Sequence, residues 1–292
     1  WCRYLCFLGG LSGNYSRAGM VELRATPDVC KNCKAATCYK GTNEVPGCPM
    51  FEFPKTMDSS AECNLCGNCV KNCPNDSIRI SPRTPTKELW DIKKPKIEVA
   101  FLAIVIMGIV FVQNITMLNI WGELLHSLEN ILGTTNYYIT FTVTFFIAML
   151  IPVVLLLLTG LIAKNFNKAS IMENFARFGY AVIPLDLAGH IAHNLFHLLA
   201  EGKSVVYTAM ELFGMSSHGA STAILPSPTI QVLQYIIIVL GTIGSIYTAY
   251  RIAKSSQNKE TLLGTSAVYT LLMVLLAIAN IVLFSIPMAM RM

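Results

Sequence analysis

Five apolar stretches, each about 20 residues or longer, occupy most of residues 97–292 and exclude a soluble globule for that part of the chain. Helices of that length cross the hydrocarbon core of a bilayer. They run over 97–121, 137–163, 178–200, 229–250 and 262–287. Pro152, Pro184 and Pro287 interrupt them, and kinks are expected there, since neighbouring helices satisfy the freed carbonyls. Charged residues make up 13% of the chain, roughly half the usual share. Residues 1–96 are instead rich in Cys, Lys, Pro and Asn, which places a boundary near Lys96.

The joints carry the orientation signal. Lys87, Lys93, Lys94 and Lys96 precede the first stretch. Lys164, Lys168 and Arg177 separate the second from the third, and Arg251, Lys254 and Lys259 the fourth from the fifth. The other side has Lys203 and Arg291. The positive-inside rule predicts a multi-pass protein of the cytoplasmic (inner) membrane, with residues 1–96 on the cytoplasmic side. The same distribution explains the net charge of +5 without a nucleic-acid partner. Trp1 in first position leads to the expectation that the sequence begins inside a longer product or after processing.

All ten cysteines fall within the first 73 residues. Cys63, Cys66, Cys69, Cys73 and Pro74 follow C-x2-C-x2-C-x3-C-P, in which three thiolates wrap one [4Fe-4S] cluster and the fourth reaches a second. Gly67 permits the tight loop, and Pro74 turns the chain away. A zinc knuckle would use paired C-x2-C units, which the tight triplet does not match. The partner run is stretched: Cys30, Cys33, Cys38 and Cys48-Pro49, with insertions at 34–37 and 39–47. Crossing over assigns Cys30, Cys33, Cys38 and Cys73 to one cluster and Cys63, Cys66, Cys69 and Cys48 to the other. The expected fold is an α-helical membrane bundle of about five transmembrane helices behind an N-terminal bacterial 2[4Fe-4S] ferredoxin-like domain. Its expected parts are a membrane-adjacent segment 1–26, the cluster domain 27–86, a basic linker 87–96 and the bundle 97–292. Cys2 and Cys6, at i and i+4, can share a helical face. They are either buried structural thiols or ligands of a further cluster completed from elsewhere.

With Trp1, Cys2, Cys6 and Gly9 beside the ferredoxin spacing, the chain resembles the polyferredoxin-type membrane iron–sulfur proteins of the NapH/NosR group. Arg3 and Phe7 stand where that group has Gly and Pro. The resemblance covers residues 1–80 and extends weakly to the helices, which the group usually carries ahead of the module. It implies electron passage between a membrane quinol pool and a partner redox protein.

The third apolar stretch holds Asp186, His190, His193, Asn194 and His197, with Glu201 directly after it. At about 100° per residue they fall within an arc of about 100°. At about 1.5 Å per residue the stripe is about 22 Å long. Ionisable groups at that depth are costly unless they face polar partners or water, so the stripe marks function. Three chemistries fit: a quinone site with a proton path, a haem b joining His190, His193 or His197 to His126, and a metal held by His190, His193 and His197. An outward stripe and cytoplasmic clusters leave tens of ångströms between them, so a haem or a partner subunit with cofactors is expected to bridge the gap.

Gly241, Gly244 and Ser245 read as a small-residue packing face. Trp121, Tyr247 and Tyr250 read as interfacial aromatics. Met215, Ser216, Ser217 and His218 in the loop 202–228 could ligate a metal, although a solvated loop is the simpler reading. The sequence holds no P-loop, dinucleotide fingerprint or nucleophile triad. The resulting expectation is an electron-transfer subunit of a respiratory redox complex, linked to quinone, with lipid, other subunits and a quinone or cytochrome as partners. A second reading is an electron donor for maturation or regulation of another metalloenzyme. A third, a transporter with the stripe as proton path, lacks the inverted repeat such proteins show.

Overall fold

The structure, a computed structural model, describes residues 5–215, 221–256 and 259–286. Trp1, Cys2, Arg3, Ser216, Ser217, His218, Pro287 and Arg291 lie outside the described residues. The chain divides into two compact units, Trp1–Pro95 and Lys96–Met292.

The first unit contains α1 (Phe7–Ser16), β1 (Val21–Ala25), α2 (Pro27–Asn32), α3 (Thr37–Lys40), α4 (Asn68–Lys71), β2 (Ile78–Pro82) and α5 (Lys87–Trp90). Strands β1 and β2 pair antiparallel, with Leu23 opposite Ile80 and Ala25 opposite Ile78. Leu23, Ile78 and Cys69 form a small buried core. Ala25, Met57 and Val70 pack on it, together with Cys38, Cys63 and Cys73. Pro27 opens α2, where its missing N–H costs nothing, and Asp28 and Lys31 suit the two ends of the helix dipole.

Buried Glu88 ties the unit together. Its carboxylate pairs with Arg24 and Arg83 and accepts from Ser60 N (2.9 Å) and Ser60 Oγ (2.9 Å). Arg83 also donates to the carbonyls of Gly19 (2.8 Å) and Ser16. Two expected boundaries therefore change. The segment before residue 27 is not separate, because it supplies β1 and the carbonyls that hold Arg83. The stretch after 86 is not a free linker, because α5 buries Glu88 and Leu89.

The second unit is helical: α6 (Ile97–Ile115), α7 (Ile120–Leu132), α8 (Tyr137–Asn167), α9 (Ile171–Phe178), a 3-10 turn (Gly179–Val182), α10 (Ile183–Glu201), α11 (Lys203–Leu212), α12 (Ser227–Ser256) and α13 (Lys259–Ser285). Among the described residues, four helices, α6, α8, α12 and α13, are long and apolar enough to cross a membrane. The expected fifth, α10, has 19 residues but carries Asp186, Glu201, three His and Asn194. The expected first span also ends early, at Ile115, and Trp121 belongs to α7. Ser170 caps α9, accepting from Glu173 N at 3.1 Å, the start of a capping box. Pro184 does not kink a helix; it sits in the first turn of α10, where proline is tolerated.

Small residues set the helix spacing. A Cβ at Gly241 of α12 would collide with Ala188 of α10, and one at Gly244 would press on the Pro184 ring at 3.1 Å. Ser245 Oγ accepts from Leu185 N at 3.0 Å, satisfying an orphan donor of the first turn of α10. The small-residue face of α12 is thus its seam with α10. Between α6 and α8, Gly108 lies so close to the Met149 backbone that no Cβ fits. Gly108→Val should destabilise the bundle by about 1–3 kcal/mol through overpacking. Gly122→Ala, which meets nothing within 4 Å, should leave thermal unfolding in detergent nearly unchanged. Equal melting of the two variants would contradict this packing.

Candidate functional site

Strand pairing brings the ends of the cysteine-bearing segment together. Beyond Ala25 and Ile78 the ladder continues, as Thr26 N donates to Ser77 O at 3.0 Å. Ser77 then touches two cysteines: its N–H donates to Cys73 Sγ at 3.3 Å, and its hydroxyl lies 3.2 Å from Cys30 Sγ. The last cysteine of the second run thereby meets the first cysteine of the first run.

The reciprocal link runs through the insertion 39–47. It folds back as a loop, with Gly41 bridged to Pro46 and Cys48 N donating to Tyr39 O at 3.3 Å. Gly41 has φ +87°, a conformation that favours glycine. Buried Asn72 is its anchor. Its Nδ2 donates to Val45 O (3.2 Å) and Pro46 O (3.0 Å), and its Oδ1 accepts from Thr42 Oγ1 (2.9 Å). Asn68 Nδ2 donates to Gly47 O at 3.4 Å, holding Cys48 beside the loop of Cys66 and Cys69.

The two Cys-Pro turns are conformational copies. In Cys48–Glu52, Phe51 has φ +56° and Glu52 N donates to Cys48 Sγ at 3.4 Å. In Cys73–Ser77, Asp76 has φ +46° and Ser77 N donates to Cys73 Sγ at 3.3 Å. Leu65, at φ +54°, also donates its N–H to Cys63 Sγ, at 3.4 Å. Non-glycine residues in this region are uncommon, and such strain gathers at functional sites.

Electrostatics separates the thiols into two sets. Burial pushes the Cys38 thiol up, and Cys73, Cys30 and Cys33 push it further. Burial pushes Cys69 up to about 11, reinforced by Cys63, Cys48 and Cys66. Cys63 is raised by burial, with Cys48, Cys66 and Glu52 adding to it. Cys33 is lowered, first by the Ala36 N–H, then by that of Ala35, with the Lys55 charge contributing. Thiols crowded in this way are poor free thiolates, and a cationic group bound among them would favour their deprotonated form. Among the described residues, no three His, Cys, Asp or Glu side chains close on one point as the ligands of a single ion do. Thiolates on different irons of a cubane stand farther apart than the four on one zinc. Cys6 precedes α1, its carbonyl accepting from Gly9 N and Gly10 N.

In the helical unit, α10 spreads its polar residues along the border between interior and surface rather than on one front. Asp186 is fully buried. His193 Nδ1 lies 2.8 Å from Asn114 Oδ1 of α6. His197 Nδ1 lies 3.2 Å from Glu201 Oε2, and the His193 and His197 rings meet edge to face at 5.0 Å. His190 and Asn194 instead line an open groove of about 320 Å³ with Ile191, Leu195 and Leu198. His126 is exposed on α7, within 3.4 Å of Glu129, and α7 packs on α8, whereas α10 packs on α12 and α6. His190, His193 and His197 do not converge on one ion position.

The buried polar residues of the bundle that escaped the sequence reading include Asn114, Gln234 and Asn280. Each is a polar residue in an apolar run, which was the available signal. Gln234 Nε2 donates to Ala192 O at 3.0 Å. Asn114 Nδ2 and Asn280 Oδ1 have no hydrogen-bond partner among the described residues.

Comparison with family models, with characterised proteins and with solved structures finds no match for this chain. Within the cysteine unit, Asn72→Ala should cost about 1–3 kcal/mol, because it strands the carbonyls of the insertion. Trypsin should then cut at exposed Lys40 faster than in the parent chain. An unchanged cleavage rate and melt would show that the loop does not depend on Asn72.

Proposed function

We propose that this chain is a membrane-bound electron-transfer subunit, relaying electrons between a bilayer quinone and a partner redox protein through two [4Fe-4S] clusters. The observation that carries this reading is the cross-over of the cysteine runs, with Ser77 between Cys30 and Cys73 and Asn68 holding the Cys48 turn. Two clusters sharing two runs of thiolates need that exchange of the fourth ligand. Cys30, Cys33, Cys38 and Cys73 would hold one, and Cys48, Cys63, Cys66 and Cys69 the other. Each cluster, when bound, supplies one-electron exchange at a potential tuned by its surroundings. The protein's share of that tuning is the N–H donors of Glu52, Leu65 and Ser77, aimed at sulfur. Cys38, Cys73, Cys63 and Cys69 all pack on the one small core, which keeps the two ligand sets near each other.

The groove beside α10 suits the quinone end. Its walls are Ile191, Leu195 and Leu198, and its polar groups are His190 and Asn194. All five lining residues lie on α10, so the groove is an open face along that helix, apolar with two polar groups. A quinone takes up two electrons and two protons on becoming quinol, and histidine exchanges protons near neutral pH. His190 and Asn194 would orient the carbonyls, with the His197–Glu201 pair next along the helix. A bis-histidine haem is not part of this reading, because His126 stands exposed on another helix. Other subunits of a redox complex complete the electron path. The lysines and arginines of the joints orient the cluster unit toward the cytoplasm.

Photolabelling tests the quinone end. Membranes containing the full chain are irradiated with an azidoquinone, and the labelled peptide is mapped. Label should concentrate between residues 190 and 198, compete with unmodified quinone, and fall at least about tenfold in His190→Leu/Asn194→Leu, the loss of about 1.4 kcal/mol of binding. Unchanged label in that variant, or label confined to other helices, would overturn the assignment.

A further inference from the structure

Helix α7 follows α6 at one end of the bundle, and the packing fixes its level there. α6 has 19 residues, about 28 Å at about 1.5 Å per residue, close to a hydrocarbon core of about 30 Å. Its last residue, Ile115, therefore stands near one edge of that core, and α7 begins soon after, at Ile120. α8 gives the same level independently. Gly108 of α6 lies against the Met149 backbone of α8, and these successive spans run in opposite directions. From Gly108 on to Ile115 is about 10 Å of helix, and from Met149 back to Phe141 about 12 Å. The Trp121 ring meets the Phe141 ring edge to face at 5.6 Å. The first turn of α7 is thus held at the edge of the core.

α7 is two-sided. At about 100° per residue its Ile, Leu and Trp side chains all fall within an arc of about 140°. Glu123, His126, Ser127, Glu129 and Asn130 fill the opposite side. α7 packs on α8, and Leu125, at one edge of the apolar arc, is 8% exposed. The other edge is bare: Ile131 is 79% exposed, and Ile120 and Leu124 are exposed beside it. The helix has no Lys or Arg, and its charged side chains are Glu123 and Glu129. Anionic headgroups would therefore be repelled, and apolar burial alone has to hold this helix on a bilayer.

We propose that α7 lies flat in the bilayer surface, at the end of the bundle opposite the basic joints. Ile120, Leu124 and Ile131 dip into the acyl-chain boundary, and Glu123, His126 and Asn130 turn to water. The partner of the bare edge is the hydrocarbon of a neutral bilayer. Depth selects lipid over a protein partner, because the apolar edge starts where the acyl chains end. An upright α7 would lift Ile131 about 16 Å above Ile120 and leave it in water. Lying flat brings Ile131 to the depth of Ile120 and removes its side chain from water. The placement rests on α6 and α8 crossing a bilayer, and on neither the clusters nor the quinone.

Site-specific photocrosslinking tests it. Benzoylphenylalanine, whose excited ketone inserts into a nearby C–H bond, is introduced into the full chain one position at a time. Leu124→benzoylphenylalanine and Ile131→benzoylphenylalanine probe the apolar side; His126→benzoylphenylalanine and Asn130→benzoylphenylalanine probe the polar side. Val154, exposed near the middle of α8, is the control within a span. Each variant is irradiated in phosphatidylcholine nanodiscs and in cell membranes, and adducts are identified by mass spectrometry. Lipid adducts at Leu124 and Ile131 should exceed those at His126 and Asn130 at least about tenfold. They should persist at high salt, since no charge pairing holds the helix. Equal lipid yields on the two sides would overturn the placement. So would adducts at Ile131 to another polypeptide in place of lipid. Lipid adducts at Val154 with none at Ile131 would remove α7 from the bilayer and leave the spans in it, whereas none at either would remove both.

Discussion

Strand pairing of β1 with β2 is the constraint on which the cysteine unit depends. It sets Thr26 against Ser77, 51 residues away. Ser77 can then reach Cys30 and Cys73 at once, and two runs of thiols become two sets that each draw on both runs. Leu23 and Ile78 supply the apolar contact beneath the strands, and Cys38, Cys63, Cys69 and Cys73 pack around it. A core this small is reinforced by the buried Glu88–Arg83–Arg24 knot. Removing one partner of such a knot leaves an uncompensated buried charge, which is why its members come from both ends of the unit.

The helical unit answers a different constraint. Backbone groups in an apolar solvent must be satisfied within the protein, and long helices do so. Four of them need little else. α10 is the exception: short, polar and preceded by a 3-10 turn, it is held through Gly241, Gly244 and Ser245 of α12. The chain packs this histidine-bearing helix against its small-residue seam, which holds α10 where His193 meets Asn114 and His190 lies at an open groove. One helix thus presents a buried polar edge and a surface polar edge.

Much of this was legible in the residues, and the limits were physical. The division near Lys96 followed from composition, since lipid and water select different side chains. The regular spacing of Cys63, Cys66, Cys69 and Cys73 was visible in the residues themselves. The fold-back of 39–47 could not be read, because it hangs on Asn72, a residue whose role exists only once the loop has returned to it. The recurrence of the turns after Pro49 and Pro74 was hidden because Phe51-Glu52 and Asp76-Ser77 share backbone conformation and not residue type. The stripe on α10 was visible as an arc. Its split into two edges depends on α6 and α13, which periodicity within one helix cannot report. A count of five spans failed for the same reason: length alone admitted α10, and its polar content excluded it.

The central claim is that eight thiols grip two iron–sulfur cubanes, and metal analysis tests it most directly. The full chain, purified anaerobically, is assayed for iron, zinc and acid-labile sulfide, and the dithionite-reduced sample is examined by low-temperature paramagnetic resonance. The account predicts about eight iron and about eight sulfide per chain, with the broadened signal of two interacting reduced clusters. Zinc in place of iron, no labile sulfide and a silent reduced sample would contradict it.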